Sequence, residues 1–245
     1  MRRVFGSLFG ALVVTQLVYG KVSKLRTPAG TKAIVGLLWG ASSADAIAAR
    51  GAPRGTALVG SAAALGLAAE LAGVATGRPF GHYTYSTLLG RKLGGVPLAA
   101  AAAWSMMARP SWVVAGLISR RRGARVALAA GALTAWDVFL DPRMVREGYW
   151  SWPEGGRYEG VPASNFLGWL ATSAGVFAVW TLLDSDDDPP RDGDGALTLY
   201  TWTWVGELVA NVFIWRRPRV ALAGGAAMGA FAVPALLQRG RRDRP

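Results

Sequence analysis

Residues 56–76 read TALVGSAAALGLAAELAGVAT: 21 residues with one ionisable side chain, Glu70. A bilayer core of about 30 Å is crossed by about 20 mostly apolar residues in α-helix, so this stretch has the length and composition of a transmembrane span. Its glycines, alanines and serine let neighbouring helices approach closely where lipid offers no hydrophobic drive to associate. It is entered through Gly51-Ala-Pro53-Arg54-Gly55 and left through Gly77-Arg78-Pro79, both strong helix punctuation.

Working outward, the same reading yields eight candidate spans: Val4–Gly20, Ala33–Ala49, Thr56–Thr76, Val96–Ile118, Val126–Asp141, Ala163–Leu183, Leu197–Trp215 and Val220–Leu237. The fifth and eighth are short, so the expectation is an all-α polytopic bundle of about eight, seven to eight, transmembrane helices forming one integral membrane domain over 1–245. The first span is too long, and lacks the small-residue cleavage site, for a signal peptide. An acidic, Pro-containing loop (184–196) and a basic tail (238–245) complete the layout, placing the chain as a multi-pass protein of the cell membrane.

Composition agrees. Of 245 residues, 52% are hydrophobic and 17% charged, against about 25% charged in soluble domains. The net charge of +12 then reads as basic loops facing lipid headgroups rather than a nucleic-acid surface. Lys and Arg fall about equally on the two sides of an eight-span layout, which leaves orientation open. There is no cysteine and one histidine, His82. Disulfide, thiolate and iron–sulfur chemistry are thereby excluded, as is a His-rich metal site. Proton chemistry must rest on carboxyl and tyrosine groups, with no metal or cofactor expected.

The 15 acidic residues are unevenly spread. Six lie in Asp184–Asp194, read as a solvated connection. Glu70, Asp137, Asp141 and Glu207 fall inside or at the ends of apolar spans, and Asp45 sits in a weaker setting of the same kind. An ionisable group at that depth costs about 2.5–3.5 kcal/mol on insertion scales and usually faces a bundle interior. The eight-span topology carries Glu70, Asp137, Asp141, Asn165, Glu207 and Asn211 toward one membrane face. Asp137 with Asp141, and Glu207 with Asn211, are i,i+4 pairs on single helix faces.

The loops on that side read GRPFGHYTYSTLLGRKLGGVPL (77–98), DVFLDPRMVREGYWSW (137–152) and GRYEGVPASNFLGW (156–169). Their glycines and prolines point to shaped, ordered loops. These segments, with Glu70 eight residues before Arg78, resemble those of the CruF-type carotenoid hydratase family, whose members carry the label carotenoid biosynthesis protein and include bisanhydrobacterioruberin hydratases. The resemblance is close over Glu70–Trp169; the acidic loop and basic tail lie outside it. It implies addition of water to the terminal C1–C2 double bond of an acyclic carotenoid end group, giving a tertiary alcohol, without a cofactor. Its partners would be the carotenoid, membrane lipid and other enzymes of carotenoid synthesis. The residues suit that chemistry independently. An alkene needs a proton before water attacks, and a carboxylic acid in apolar surroundings can supply it.

Under this resemblance Asp137 or Glu70 is the general acid, and Asp141 holds water or Arg143. Tyr83, Tyr85, Tyr149 and Trp150 form an aromatic wall for a cation. Asn165 and Asn211 position polar groups, Glu207 joins the same polar set, Arg78 pairs with a carboxylate, and His82 either shuttles protons or is structural. Three rivals share some features. Asp137-Val-Phe-Leu-Asp141 has the spacing of a Mg²⁺-diphosphate motif in a membrane prenyltransferase, although its only second motif, Asp184–Asp188, falls on the opposite side. A carotenoid cyclase would use the same acid-initiated cation. A transporter or scaffold of carotenoid enzymes would use buried carboxyl groups as a proton relay or as glue. A retinal-type Schiff base is disfavoured, because Lys21, Lys24, Lys32 and Lys92 all lie outside the late spans.

Overall fold

Glycine and proline punctuation divides the apolar chain into helices, and a computed structural model describes residues 1–184 and 194–242. Seven α-helices follow in order: α1 (Arg2–Lys21), α2 (Pro28–Thr76), α3 (Leu98–Ile118), α4 (Arg122–Arg146), α5 (Ala163–Leu183), α6 (Asp194–Val209) and α7 (Pro218–Arg242). A π-helical turn, Ala210–Ile214, continues α6. Two small antiparallel pairs sit in the loops: β1 (Thr84–Tyr85) with β4 (Trp150–Ser151), and β2 (Lys92–Leu93) with β3 (Val96–Pro97).

The span count is lower than expected. Five helices, α1, α2, α4, α5 and α7, are long and apolar enough to cross a membrane, not seven or eight. The second and third candidate spans are arms of one element, the 49-residue α2, interrupted at Gly51 (φ 76°, ψ 163°). The interruption is a sharp bend: a Cβ on Gly55 would lie 2.6 Å from the Ile47 Cα, whereas eight residues of straight helix separate two positions by about 12 Å. Helix α3 carries Arg109 and Pro110 at its centre, which lowers its mean hydropathy. Helix α6 has 16 residues, about 24 Å at 1.5 Å per residue and short of the hydrocarbon core.

Local chemistry explains the ends and bends. Thr27 caps α2 by accepting from the Gly30 N–H (3.2 Å), with Pro28 at the first position. Gly77 ends it in the left-handed conformation (φ 75°). Pro142 inside α4 lacks an N–H and so leaves the Val138 carbonyl without its helical donor; the Tyr158 hydroxyl donates to that carbonyl at 3.0 Å. The β2–β3 turn places Gly94 and Gly95 at φ 54° and 87°, as a two-residue hairpin turn requires.

The core is aromatic and closely packed. Trp104 of α3 stacks on Trp169 of α5 with centroids 4.0 Å apart, and Trp112 stacks on Phe177 at 5.6 Å. Small residues make room for these rings. A Cβ on Gly66 would fall 2.2 Å from Trp104 Cγ, and one on Gly168 would fall 2.7 Å from Phe80 Cδ1.

The flanking expectations shift accordingly. Asp184, read as part of a solvated loop, is buried, ion-paired to Arg50 (2.7 Å) and bonded by Trp112 Nε1 (2.9 Å). The rest of that acidic run, 185–193, lies outside the described residues. Residues 238–242 of the tail belong to α7, and 243–245 lie outside the described residues.

Candidate active site

Glu70 lies on the second arm of α2, six residues before its end, and its carboxyl group is buried. Three donors converge on it. Tyr85 Oη donates at 2.8 Å, Trp104 Nε1 at 3.0 Å, and Tyr83 Oη makes a short bond to Oε2. Every one is a neutral N–H or O–H, so Glu70 serves purely as an acceptor. Burial, reinforced by the adjacent Glu70 charge, pushes the Tyr83 and Tyr85 phenols above their ordinary range and keeps both as donors.

A second carboxyl pair comes from α4. Asp137 and Asp141 lie one turn apart, within hydrogen-bond reach of each other. The amide of Asn165, in the first turn of α5, joins them: Nδ2 donates to Asp137 Oδ2 at 2.9 Å and also to Asp141 Oδ2. Trp150 Nε1 donates to Asp141 Oδ1 at 3.1 Å, while Asp137 Oδ1 is buried without a partner.

Two loops hold these groups together. Tyr85 and Trp150 are register partners in the β1–β4 pair, with rings edge to face at 5.5 Å. The loop after α2 thus delivers Tyr83 and Tyr85 to Glu70, and the loop after α4 delivers Trp150 to Asp141. Trp152 Nε1 donates to the Phe80 carbonyl at 3.0 Å and ties the loops again.

Between the acids is a narrow, closely lined cavity that opens outward, about 600 Å³ when the space out to its mouth is counted. Glu70, Tyr83, Tyr85, Asp141, Trp150 and Asn165 line it among apolar and aromatic side chains. Asp137 is fully buried and stands behind Asp141 and Asn165 rather than on the cavity wall. Trp104, Trp152, Trp169 and Phe80 also line the cavity and were not among the expected site residues. The one sequence signal for Trp104 was a lone indole in a run of alanines, which reads equally as core.

Other expected residues lie elsewhere. Arg78 is exposed at the end of α2, and His82 is exposed and absent from the cavity wall. Arg143 does not meet Asp141; it pairs with Glu147 (3.0 Å) and Glu207 (3.6 Å). Asn211 donates to the Glu207 carbonyl at 2.9 Å. Glu207 and Arg143 line a second cavity, while Tyr149, Asn211 and Arg143 line a third. The polar set therefore divides into Glu70, Asp137, Asp141 and Asn165 around one pocket and Arg143, Glu207 and Asn211 beside it. Asp45 pairs with the buried Arg109 at 3.1 Å, a link between α2 and α3. Among the described residues, no group of three or more His, Asp or Glu side chains is placed to hold a metal ion.

An all-helical, membrane-type bundle with a carboxyl-lined aromatic pocket is the class that fold and site define. The family described as carotenoid biosynthesis protein matches residues 31–232, and the chain belongs to it. A bisanhydrobacterioruberin hydratase of Haloarcula japonica is 32% identical over 110 residues, which is 43% of this chain and 37% of that protein. The match therefore spans well under half of the relative's length. No solved structure matches the chain. Family membership links the chain to carotenoid biosynthesis, and its long apolar helices are consistent with a multi-pass membrane protein.

Proposed function

We propose that the protein hydrates the terminal C1–C2 double bond of an acyclic carotenoid end group. The observation that carries this reading is the presence of two separately held carboxyl groups, Glu70 and Asp141, on the wall of one aromatic pocket. The membership described above and the partial similarity to a hydratase support the substrate class.

The end group enters the pocket and the remaining polyene extends into lipid. Asp141, sharing a proton with Asp137, delivers it to C2, and the π pair becomes the new C–H bond. The positive charge is left on tertiary C1, where the ring faces of Tyr85, Trp150 and Trp104 can offer it π density. Water attacks C1 and forms the C–O bond. Its surplus proton passes to Glu70, whose donor triad fixes the orientation of the accepting carboxyl group. Return of that proton to the Asp137–Asp141 pair restores the enzyme, so one water is added and nothing else is consumed. The sequence expectation that Asp137 or Glu70 is the acid is refined here: Asp141 meets the substrate, Asp137 holds the proton behind it, and Glu70 is the base.

The test is expression in a host that makes an acyclic carotenoid, followed by mass spectrometry of the pigment. The expected product is heavier by one water per hydrated end, and Asp141→Asn at equal membrane abundance abolishes it. Unchanged hydration by that variant would overturn the assignment. A product of unchanged mass with a new ring would show a cyclase instead.

A further inference from the structure

A second and a third cavity lie beside the carboxyl pocket, and they share Arg143 and Trp215. One is an apolar groove of about 1090 Å³ between α1, α2 and the α6 end, with Leu17, Ile34, Val205, Val209 and Ile214 on its walls. The other, about 1040 Å³, lies where the α1–α2 connection, the C-terminal end of α4 and the start of α7 meet. Four guanidinium groups line it, from Arg26, Arg143, Arg146 and Arg217, against a single carboxyl group, Glu147.

The charges do not cancel locally. Arg143 is balanced by Glu147 and Glu207, and Arg217 by Glu159. Among the described residues, Arg26 and Arg146 have no carboxylate partner. Arg26 donates to the Tyr19 and Gly20 carbonyls and lies 4.6 Å over the Trp215 ring, and Arg143 lies 5.0 Å from the same ring. The backbone is bent to achieve this. The π-helical turn ends at Ile214 and is capped by Trp215, and Arg216 follows in the left-handed region (φ 53°), a conformation that non-glycine residues rarely adopt. Trp215 and Arg217 both line this cavity, and the Trp215 Nε1 is buried without a partner.

We propose that the two cavities together bind one anionic phospholipid, its phosphate among Arg26, Arg146 and Trp215 Nε1 and an acyl chain in the apolar groove. Guanidinium groups match phosphate oxygens in geometry and charge. Basic pockets between membrane helices commonly hold such headgroups, and tryptophan sits at that depth of the bilayer. The continuity of the basic cavity with an apolar groove of similar size selects an amphiphile over a free anion.

The test uses the full chain from a carotenoid-free host, purified in detergent and offered phosphatidylglycerol, phosphatidylcholine or inorganic phosphate. Native mass spectrometry is expected to show a retained phosphatidylglycerol adduct, and phosphatidylglycerol alone is expected to raise the unfolding temperature. Arg146→Gln, at a side chain with no bond to lose among the described residues, should cut the adduct at least fivefold, and Arg146→Lys should restore part of it. Ala210→Phe, which fills the groove and leaves every arginine in place, should weaken the adduct equally. Equal retention of phosphatidylcholine, an equal shift with inorganic phosphate, or full retention by Arg146→Gln would each overturn the proposal. So would a groove occupied only when carotenoid is present.

Discussion

Tyr85 and Trp150 are partners across a two-residue antiparallel pair, and each donates a hydrogen bond to a different buried carboxyl group, Tyr85 to Glu70 at 2.8 Å and Trp150 to Asp141 at 3.1 Å. Distant parts of the chain thereby position both acids through one contact. Replacing Tyr85 by Phe keeps the ring packing and removes one donor. Loss of a bond to a buried acceptor costs about 1–3 kcal/mol of stability, so the unfolding temperature should fall, and to the extent that the loss is felt at the reacting carboxyl group hydration should slow by up to about a hundredfold, at about 1.4 kcal/mol per decade. Product formation per unit of protein in membranes checks it.

Among the described residues, Asn165 is the only side chain that bonds both members of the α4 acid pair. Asn165→Ala is expected to reduce hydration by a similar tenfold to hundredfold, and also to destabilise the α4–α5 contact by about 1–3 kcal/mol. Asn165→Gln, which keeps the amide at a longer reach, should recover stability before activity. Thermal unfolding and pigment turnover measured on the same preparations separate the two effects.

Glu70→Gln changes a pure acceptor into a group with an N–H₂ facing three donors. Removing a general base typically lowers a rate by about 10²–10⁴-fold, and the mismatched amide should lower the unfolding temperature as well. Glu70→Asp keeps the carboxyl group but shortens its reach, so its activity should fall between wild type and Gln. A Gln variant with wild-type turnover would remove Glu70 from the mechanism.

Burial raises the phenol pKa values of Tyr83 and Tyr85, and moves Tyr158 to about 12. An unfolded phenol ionises near 10. Above that pH the unfolded chain has lost protons that the folded chain keeps, so these groups contribute stability that is complete below about pH 10 and is lost as pH rises. Tyr158 should lose its share between about pH 10 and about 12. Unfolding temperatures from pH 9 to 12, read with tyrosinate absorbance, should fall together, and Tyr85→Phe should soften the decline.

Gly66 has no room for a side chain: its Cβ would lie 2.2 Å from Trp104 Cγ and 2.5 Å from Trp104 Cβ. Alanine favours a helix over glycine by about 1 kcal/mol, but overpacking costs about 1–3 kcal/mol. The atoms struck are at the fixed base of the ring rather than a mobile tip, so the second effect should win. Gly66→Ala is expected to lower the unfolding temperature and, by displacing the indole that bonds Glu70, to reduce hydration.

Much of this was legible in the sequence, for identifiable reasons. A lone Glu70 in an apolar run, and Asp137 with Asp141 at helical spacing, are conspicuous because charge at such positions is costly and seldom incidental. The glycines and prolines of 77–98 and 137–169 announced shaped loops. Glu207 and Asn211 were equally conspicuous, yet they line two neighbouring cavities. A linear layout says which end of a helix a residue occupies, and not which neighbour its face meets. Trp104 and Trp169 passed unnoticed because a tryptophan in an apolar segment looks the same whether it fills core or lines a pocket.

By itself the sequence determined an all-helical, membrane-type chain without thiol chemistry, its rare acids and its patterned loops, since these follow from composition and period alone. Tertiary structure decided that the second and third apolar stretches form one bent helix, through the break at Gly51. It also decided which acids share a pocket, through the Tyr85–Trp150 pairing and the reach of one Asn165 amide. Both are matters of packing between segments far apart in the chain, where angle and distance, rather than residue identity, set which groups meet.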